Sequence, residues 1–201
     1  MKISYQQFWL ILWCWVTQVP VRQTQALSNF SEKAVRHWFA IFRQHLPEDK
    51  VILTNLVQLD EVFFKRNGLM LGKEIGSRKL AWEVLGTTHV QRHHATNFLQ
   101  HHVAPHTQLN TDGGSIYHQI EQWWPVIHKF DIHRKWEFSQ TSEIEGMFAC
   151  FRTFVRRMYH HVTSDKLEEL VREFCFRFSS PEIFNNPQSY LEKTLRLVTT
   201  G

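Results

Sequence analysis

Between residues 3 and 46 apolar positions recur every three or four residues, the period of helices with one buried face. Residues 3–17 read as one helix, ended ahead of Pro20 because a proline pushes its predecessor out of helical backbone. Residues 21–27 read as a short second helix. Ser31 then offers an N-cap for EKAVRHWFAIFRQHL, whose Ala34, Val35, Trp38, Ile41, Phe42 and Leu46 fall at helical spacing. A short helix, a turn at Ser28-Asn29-Phe30 and a longer helix give the outline of a helix-turn-helix, which any small helical cap shares. Pro47-Glu48-Asp49 marks a boundary.

From residue 50 the pattern changes. VILTNLVQLDEVFF is apolar and rich in β-branched residues, and predicts a strand over residues 56–63. Lys65-Arg66-Asn67-Gly68 is a turn signal, since Asn-Gly supplies the positive φ values of tight hairpins. KLAWEVLGTTHV (79–90) predicts one or two further strands, residues 95–103 a helix closed by Pro105, and residues 108–111 a strand running into Asp112-Gly113-Gly114. Ser115 caps a predicted helix reaching Trp124, and residues 126–132 alternate like a strand. Helices follow at 142–161, 164–178 and 187–197. Strands alternating with helices make an α/β domain over residues 50–180, between a helical segment (1–47) and a helical tail (181–201).

Composition narrows the class. Of 201 residues, 43% are hydrophobic and 21% charged, which suits a folded chain. A net charge of +4, with 13 histidines uncounted, permits a polyanionic partner without requiring one. Cys14, Cys150 and Cys175 are widely spaced and odd in number. That supports neither a zinc ribbon nor a disulfide framework, and suits a reducing compartment. The apolar run at residues 8–16 is too short to span a bilayer. Its tryptophans and the lack of a small-x-small cleavage site favour a buried helix over a secretory leader.

Two aspartates stand at informative places. Asp60 interrupts the apolar strand LVQLDEVFF, where a carboxylate needs a partner, a hydrogen bond or a metal, unless alternation turns it to solvent. Asp112 ends a strand ahead of two glycines, and alone reads as a turn aspartate. TSEIEGMF opens the helix at 142–161 with Glu143 and Glu145. Ser142-x-x-Glu145 fits a capping box, with Glu143 favourable to the helix dipole. Two strand aspartates and a glutamate on a late helix can converge at one edge of an α/β sheet. Such carboxylates hold two divalent ions about 3.5–4 Å apart for phosphodiester chemistry. Hard oxygen donors select Mg²⁺ or Mn²⁺ over zinc.

LVQLDEVFF, LNTDGGSIY, TSEIEGMFACFRTFVRRMYHHVT and LEELVREFCFRFS resemble the successive blocks of small insertion-sequence transposases, the bacterial kind related to eukaryotic Merlin elements. The resemblance runs over about residues 30–180. It implies an RNase H-like (retroviral-integrase-like) fold and a DDE-type DNA transposase that cleaves strands and transfers them at transposon ends. It also implies Asp60 and Asp112 as the first two metal-binding carboxylates, with Mg²⁺ or Mn²⁺ as cofactor. In many relatives the third block reads His-Thr-Asn-x-x-Glu, and either the Asn or the Glu completes the site. Aligned this way Thr141 matches the Thr, Ser142 takes the Asn place and Glu145 matches the Glu, with Glu143 the alternative third ligand. The lysine usual along this helix is replaced by Arg152, and the zinc ribbon common ahead of the helical segment has no counterpart in this sequence. A transposase-derived DNA-binding protein with an impaired site is the alternative. The expected partners are transposon-end and target DNA and further copies of the chain, with no membrane. The location is the bacterial cytoplasm (nucleoid), or the nucleus of a eukaryote.

Basic residues are the candidates for DNA contacts. Arg152, Arg156 and Arg157 punctuate a helix whose apolar stripe is Ile144, Phe148, Phe151, Val155 and Met158. They can clamp phosphates or simply face solvent, and Lys129, Arg134 and Lys135 extend the same track. His93, His94, His101 and His102 match no compact metal motif and read as surface histidines.

Overall fold

The computed structural model describes residues 3–47, 50–131, 141–160 and 163–198. Three helices come first: α1 (Tyr5–Val16), α2 (Val21–Ser28) and α3 (Glu32–Gln44). Their starts are set by side chains. Ser4 and Gln7 close a capping box on α1, and Ser31 accepts from the Ala34 N–H at 3.2 Å. Asn29 ends α2 in the left-handed region, φ 56°. The apolar run at residues 8–16 belongs to α1, where Ile11, Leu12, Cys14, Trp15 and Val16 are buried. No helix among the described residues is long and apolar enough to cross a membrane.

The strands are β1 (Leu56–Phe64), β2 (Asn67–Glu74), β3 (Leu80–Val84), β4 (Gln108–Asp112) and β5 (Ile127–Asp131). They form one sheet in the order β3-β2-β1-β4-β5. β1, β2 and β3 are an antiparallel meander, while β4 runs parallel to β1 and β5 parallel to β4. α4 (Arg92–His102) crosses from β3 to β4. A three-stranded meander, a crossover helix and two parallel strands make a mixed α/β sheet, in keeping with the RNase H-like fold expected from the resemblance. α5 (Ser142–Tyr159), α6 (Leu167–Ser179) and α7 (Pro187–Val198) follow.

Several local expectations need correction. β2 is a strand that the sequence reading missed. Both of its faces are covered, so its residues are buried almost throughout and the period-two signal is lost. The hairpin turn lies at Lys65-Arg66, because Phe64 pairs with Asn67; Lys65 takes the positive φ of 53°, and Asn67-Gly68 belong to β2. The helix expected from Ser115 to Trp124 is two short 3-10 turns, Ser115–Tyr117 and Ile120–Gln122, separated by Gln119 at φ 56°. The predicted ends at residues 132 and 161 lie outside the described residues.

Contacts divide the chain into two compact units. Residues 49–152 and 163–168 form the first, around the sheet. On one sheet face Val57, Leu59, Met70, Ala81 and Leu109 pack with Ala95, Phe98 and Leu99 of α4. Gly72 allows that approach, since a β-carbon there would lie 2.8 Å from Leu53 and 3.0 Å from Phe98. The opposite face meets the start of α5, with the Phe64 and Phe151 rings 5.3 Å apart.

Residues 1–48, 153–162 and 169–201 form the second unit, which is helical. Its aromatic centre joins Trp15 to Phe42 and Tyr190, at ring distances of 5.5 and 5.2 Å. Beside it lies a buried ionic knot. Glu173 is fully buried and accepts from Tyr159 Oη at 2.7 Å, Arg43 Nη1 at 3.3 Å and Arg177 Nε at 2.9 Å. Arg177 also donates to the Trp15 and Val16 carbonyls, which ties α6 to the end of α1. The Tyr159 and the Glu-Phe-x-x-Arg-Phe run that carried the resemblance are therefore structural cross-links of this unit. Removing one partner of a buried ion pair leaves charge uncompensated. Glu173→Gln should lower stability by about 3–5 kcal/mol in denaturant titration. A loss below about 1 kcal/mol would mean that the knot is not held as described.

Candidate active site

Register brings the two aspartates together. Gln58 of β1 pairs with Asn110 of β4 in parallel. Two residues further along each strand, just past the paired residues, stand Asp60 and Asp112 on the same sheet face. This is the face opposite the α4 core, because Val57 and Leu59 point into that core. Asp60 and Asp112 are both half-buried.

α5 is fixed to this face by β1 itself. The buried Gln58 accepts from the Ile144 N–H through Oε1 at 2.9 Å, and so satisfies an otherwise orphan donor of the helix N-terminus. Gln58 and Asp60 share a face by strand alternation. The same bond sets the first turn of α5 against this face, near enough for the Glu145 charge to act on Asp60. The Ser142-x-x-Glu145 capping box does not form as expected. Ser142 is the first helical residue; the Glu145 N–H bonds the Thr141 carbonyl at 3.1 Å, and the Thr141 hydroxyl donates to Glu145 Oε1 at 3.2 Å. Glu143 points elsewhere and pairs with the buried Lys73 at 3.2 Å.

Electrostatics ties the three carboxylates into one field. Burial pushes the Asp60 carboxyl up to about 7, against the Glu61 N–H that donates to it at 2.8 Å. The charges of Glu61, Asp112 and Glu145 push in the same direction as burial. Glu61, a fourth acid absent from the sequence reading, is also raised by burial, while the Tyr117 hydroxyl bonds it at 2.5 Å. Asp112 Oδ1 accepts from the Gly114 N–H at 3.0 Å, the turn geometry expected of an Asp-Gly-Gly run.

A site built of carboxylate oxygens suits a hard divalent cation, and like charges crowded around a half-buried Asp60 are what such an ion neutralises. The residues present fit Mg²⁺ or Mn²⁺. The oxygens of Asp60, Asp112 and Glu145 are not all gathered within 4.8 Å of one another; among the described residues only Glu83, His101 and His102 draw three donor atoms that close.

The basic candidates are exposed. Arg152, Arg156 and Arg157 lie on the polar side of α5. Lys129 of β5 pairs with Asn110, which puts it on the Asp112 face. Arg134 and Lys135 lie outside the described residues. Gln58 and Thr141 were missed as positioning residues. Gln58 stands two residues before Asp60 in the alternation, which is the signal that could have found it.

Residues 84–179 match the family model of the ISXO2-like transposase domain. The match runs from the end of β3 through α6 and takes in Asp112 and Glu145, with Asp60 ahead of it. No curated protein matches the chain. Among solved structures it is similar to a chain of the simian T-cell lymphotropic virus intasome in complex with PP2A regulatory subunit B56 gamma, at 12% identity and TM-score 0.46, covering 84% of this chain and 67% of that one. It is also similar to the catalytic core domain of BIV integrase, at 12% identity and TM-score 0.45, covering 73% and 99%.

The raised Asp60 carboxyl has a measurable consequence in ion-free protein. Folded Asp60 holds its proton up to about pH 7, against 3.8 when unperturbed. The stability this contributes is complete below the lower value and is lost as pH rises through the higher one. Asp60→Asn, neutral at every pH, should therefore gain stability over wild type as pH rises. In melts with chelator the gain should be small near pH 4 and reach on the order of 4 kcal/mol above pH 7. A pH-independent difference would exclude Asp60 as the titrating group.

Proposed function

We propose that this chain is a transposase that cleaves DNA at the ends of a mobile element and joins the freed 3′-hydroxyl to target DNA, a reading supported by the match of residues 84–179 to the ISXO2-like transposase domain. One observation carries the reading. Asp60 and Asp112 stand on the same face of neighbouring parallel strands, and the Gln58 bond to Ile144 sets the first turn of α5, which carries Glu145, against that face.

In this reading Asp60, Asp112 and Glu145 hold divalent ions, Mg²⁺ or Mn²⁺, through their carboxylate oxygens. Such a pair of ions, when bound, activates the attacking oxygen and stabilises the leaving one in an in-line displacement. The protein's part is positioning. Asp60 binds a cation only as the carboxylate, so its raised pKa makes loading weaken below neutral pH. Thr141 holds the Glu145 rotamer by its hydroxyl. Arg152, Arg156, Arg157, Lys129 and Lys135 contact phosphates, which sets the register of the duplex without reading its sequence. The helices of residues 1–47 add DNA contacts. Two element ends handled together call for more than one copy of the chain on DNA.

The departure at Ser142 favours a second reading, a DNA-binding protein with an impaired site. Nicking of a labelled duplex in Mn²⁺ separates the two. Wild type should nick, and Asp112→Asn should lose at least about a hundredfold, roughly 2.7 kcal/mol of transition-state stabilisation. Glu145→Gln should lose cleavage while its melt stays near wild type. Equal nicking by wild type and Asp112→Asn would remove these carboxylates from catalysis. DNA binding without nicking in wild type would select the second reading.

A further inference from the structure

On the other side of the sheet, β3 and the last turn of α4 bring three donors together. Glu83 pairs with Met70 across the β2–β3 ladder, and Met70 belongs to the core beneath α4. Glu83 therefore points to the α4 face, opposite Asp60 and Asp112. His101 Nδ1 lies 2.9 Å from Glu83 Oε1, and His102 Nε2 lies 3.2 Å from the same oxygen. Donor atoms from all three lie within 4.8 Å of one another. Two ligands of a tetrahedral zinc ion stand about 3.3 Å apart, as bond lengths of ~2.0–2.1 Å require. The spacing in this cluster is thus already close to that of a coordination shell.

The outer surroundings agree with ligation. His102 Nδ1 faces the Val51 carbonyl at 3.5 Å. A backbone carbonyl beside one ring nitrogen favours the tautomer that leaves the other nitrogen to a metal. His102 and Glu83 are largely shielded, with 21% and 25% of their side chains exposed, whereas His101 is 63% exposed. The cluster is held from below and open to water above, which leaves room for a fourth, solvent ligand.

We infer that Glu83, His101 and His102 form a binding site for Zn²⁺, separate from the carboxylates of the opposite face, in which the ion ties the edge strand β3 to the end of α4. Two imidazoles and one carboxylate prefer a borderline ion such as zinc, whereas the all-oxygen site prefers Mg²⁺ or Mn²⁺. Among the described residues β3 has a single strand neighbour, β2, so an ion at Glu83 adds a second anchor to this edge of the sheet.

The test is Zn²⁺ uptake by the full, tag-free chain, measured by equilibrium dialysis and chelator competition in excess Mg²⁺. Wild type should bind one zinc per chain and melt at a higher temperature with it. Glu83→Gln and His102→Ala should each bind more weakly by at least about tenfold, since even an outer-shell partner is worth roughly 10–100-fold. His93→Gln and Asp112→Asn should bind like wild type. Circular dichroism checks folding, and Glu83→Gln, which keeps the side chain's shape, decides the matter if His102→Ala does not fold. The proposal is overturned if wild type takes up no zinc or Glu83→Gln binds it as tightly. Loss of zinc in Asp112→Asn would overturn it too, by placing the ion at the carboxylates.

Discussion

The parallel pairing of β1 with β4 is the constraint on which the candidate site depends. Its register, Gln58 opposite Asn110, decides that Asp60 and Asp112 become neighbours. A slip of one residue would turn one aspartate to the opposite face and bury it in the α4 core. That core secures the register. Val57, Leu59 and Leu109 are fully buried beneath α4, and the slip would turn out either the β1 pair Val57 and Leu59 or Leu109 of β4. The apolar face thus fixes the polar one.

Gln58 extends the same constraint to a third element. A strand side chain that caps a helix joins two parts of the chain more than 80 residues apart by one buried hydrogen bond. The bond is worth only about 1 kcal/mol net, but leaving both groups buried and unpaired costs more. α5 therefore starts where β1 dictates. Glu145 is then held by Thr141 and Glu143 is drawn away by Lys73, which separates two glutamates that look equivalent in sequence.

Much of this was legible in the sequence. Asp60 stood out because a carboxylate in an apolar run is expensive to bury, Asp112 stood out through the resemblance, and the third helix was marked by its cap at Ser31 and its apolar stripe. What was hidden had physical causes. β2 is buried on both faces and lacks alternation, and the Asn67-Gly68 pair that signals a turn sits inside it. The shift of the cap from Ser142 to Thr141 depends on where β1 anchors α5, which is not local information. His101 is exposed, as a surface histidine should be, and the contact of His101 and His102 with Glu83 was hidden because that carboxylate comes from the preceding strand, 18 residues before His101. The LEELVREFCFRFS block carried part of the resemblance without a role for its residues, and its Glu173 and Arg177 belong to the buried knot of the helical unit.

The central claim is that Asp60, Asp112 and Glu145 make one cation site on one face of the sheet. Crystals of the protein soaked in Mn²⁺ and measured at the manganese absorption edge test it most directly. The claim predicts anomalous density between Asp60 and Asp112, with Glu145 drawn onto it. Manganese bound elsewhere, with these three carboxylates left bare, would contradict it.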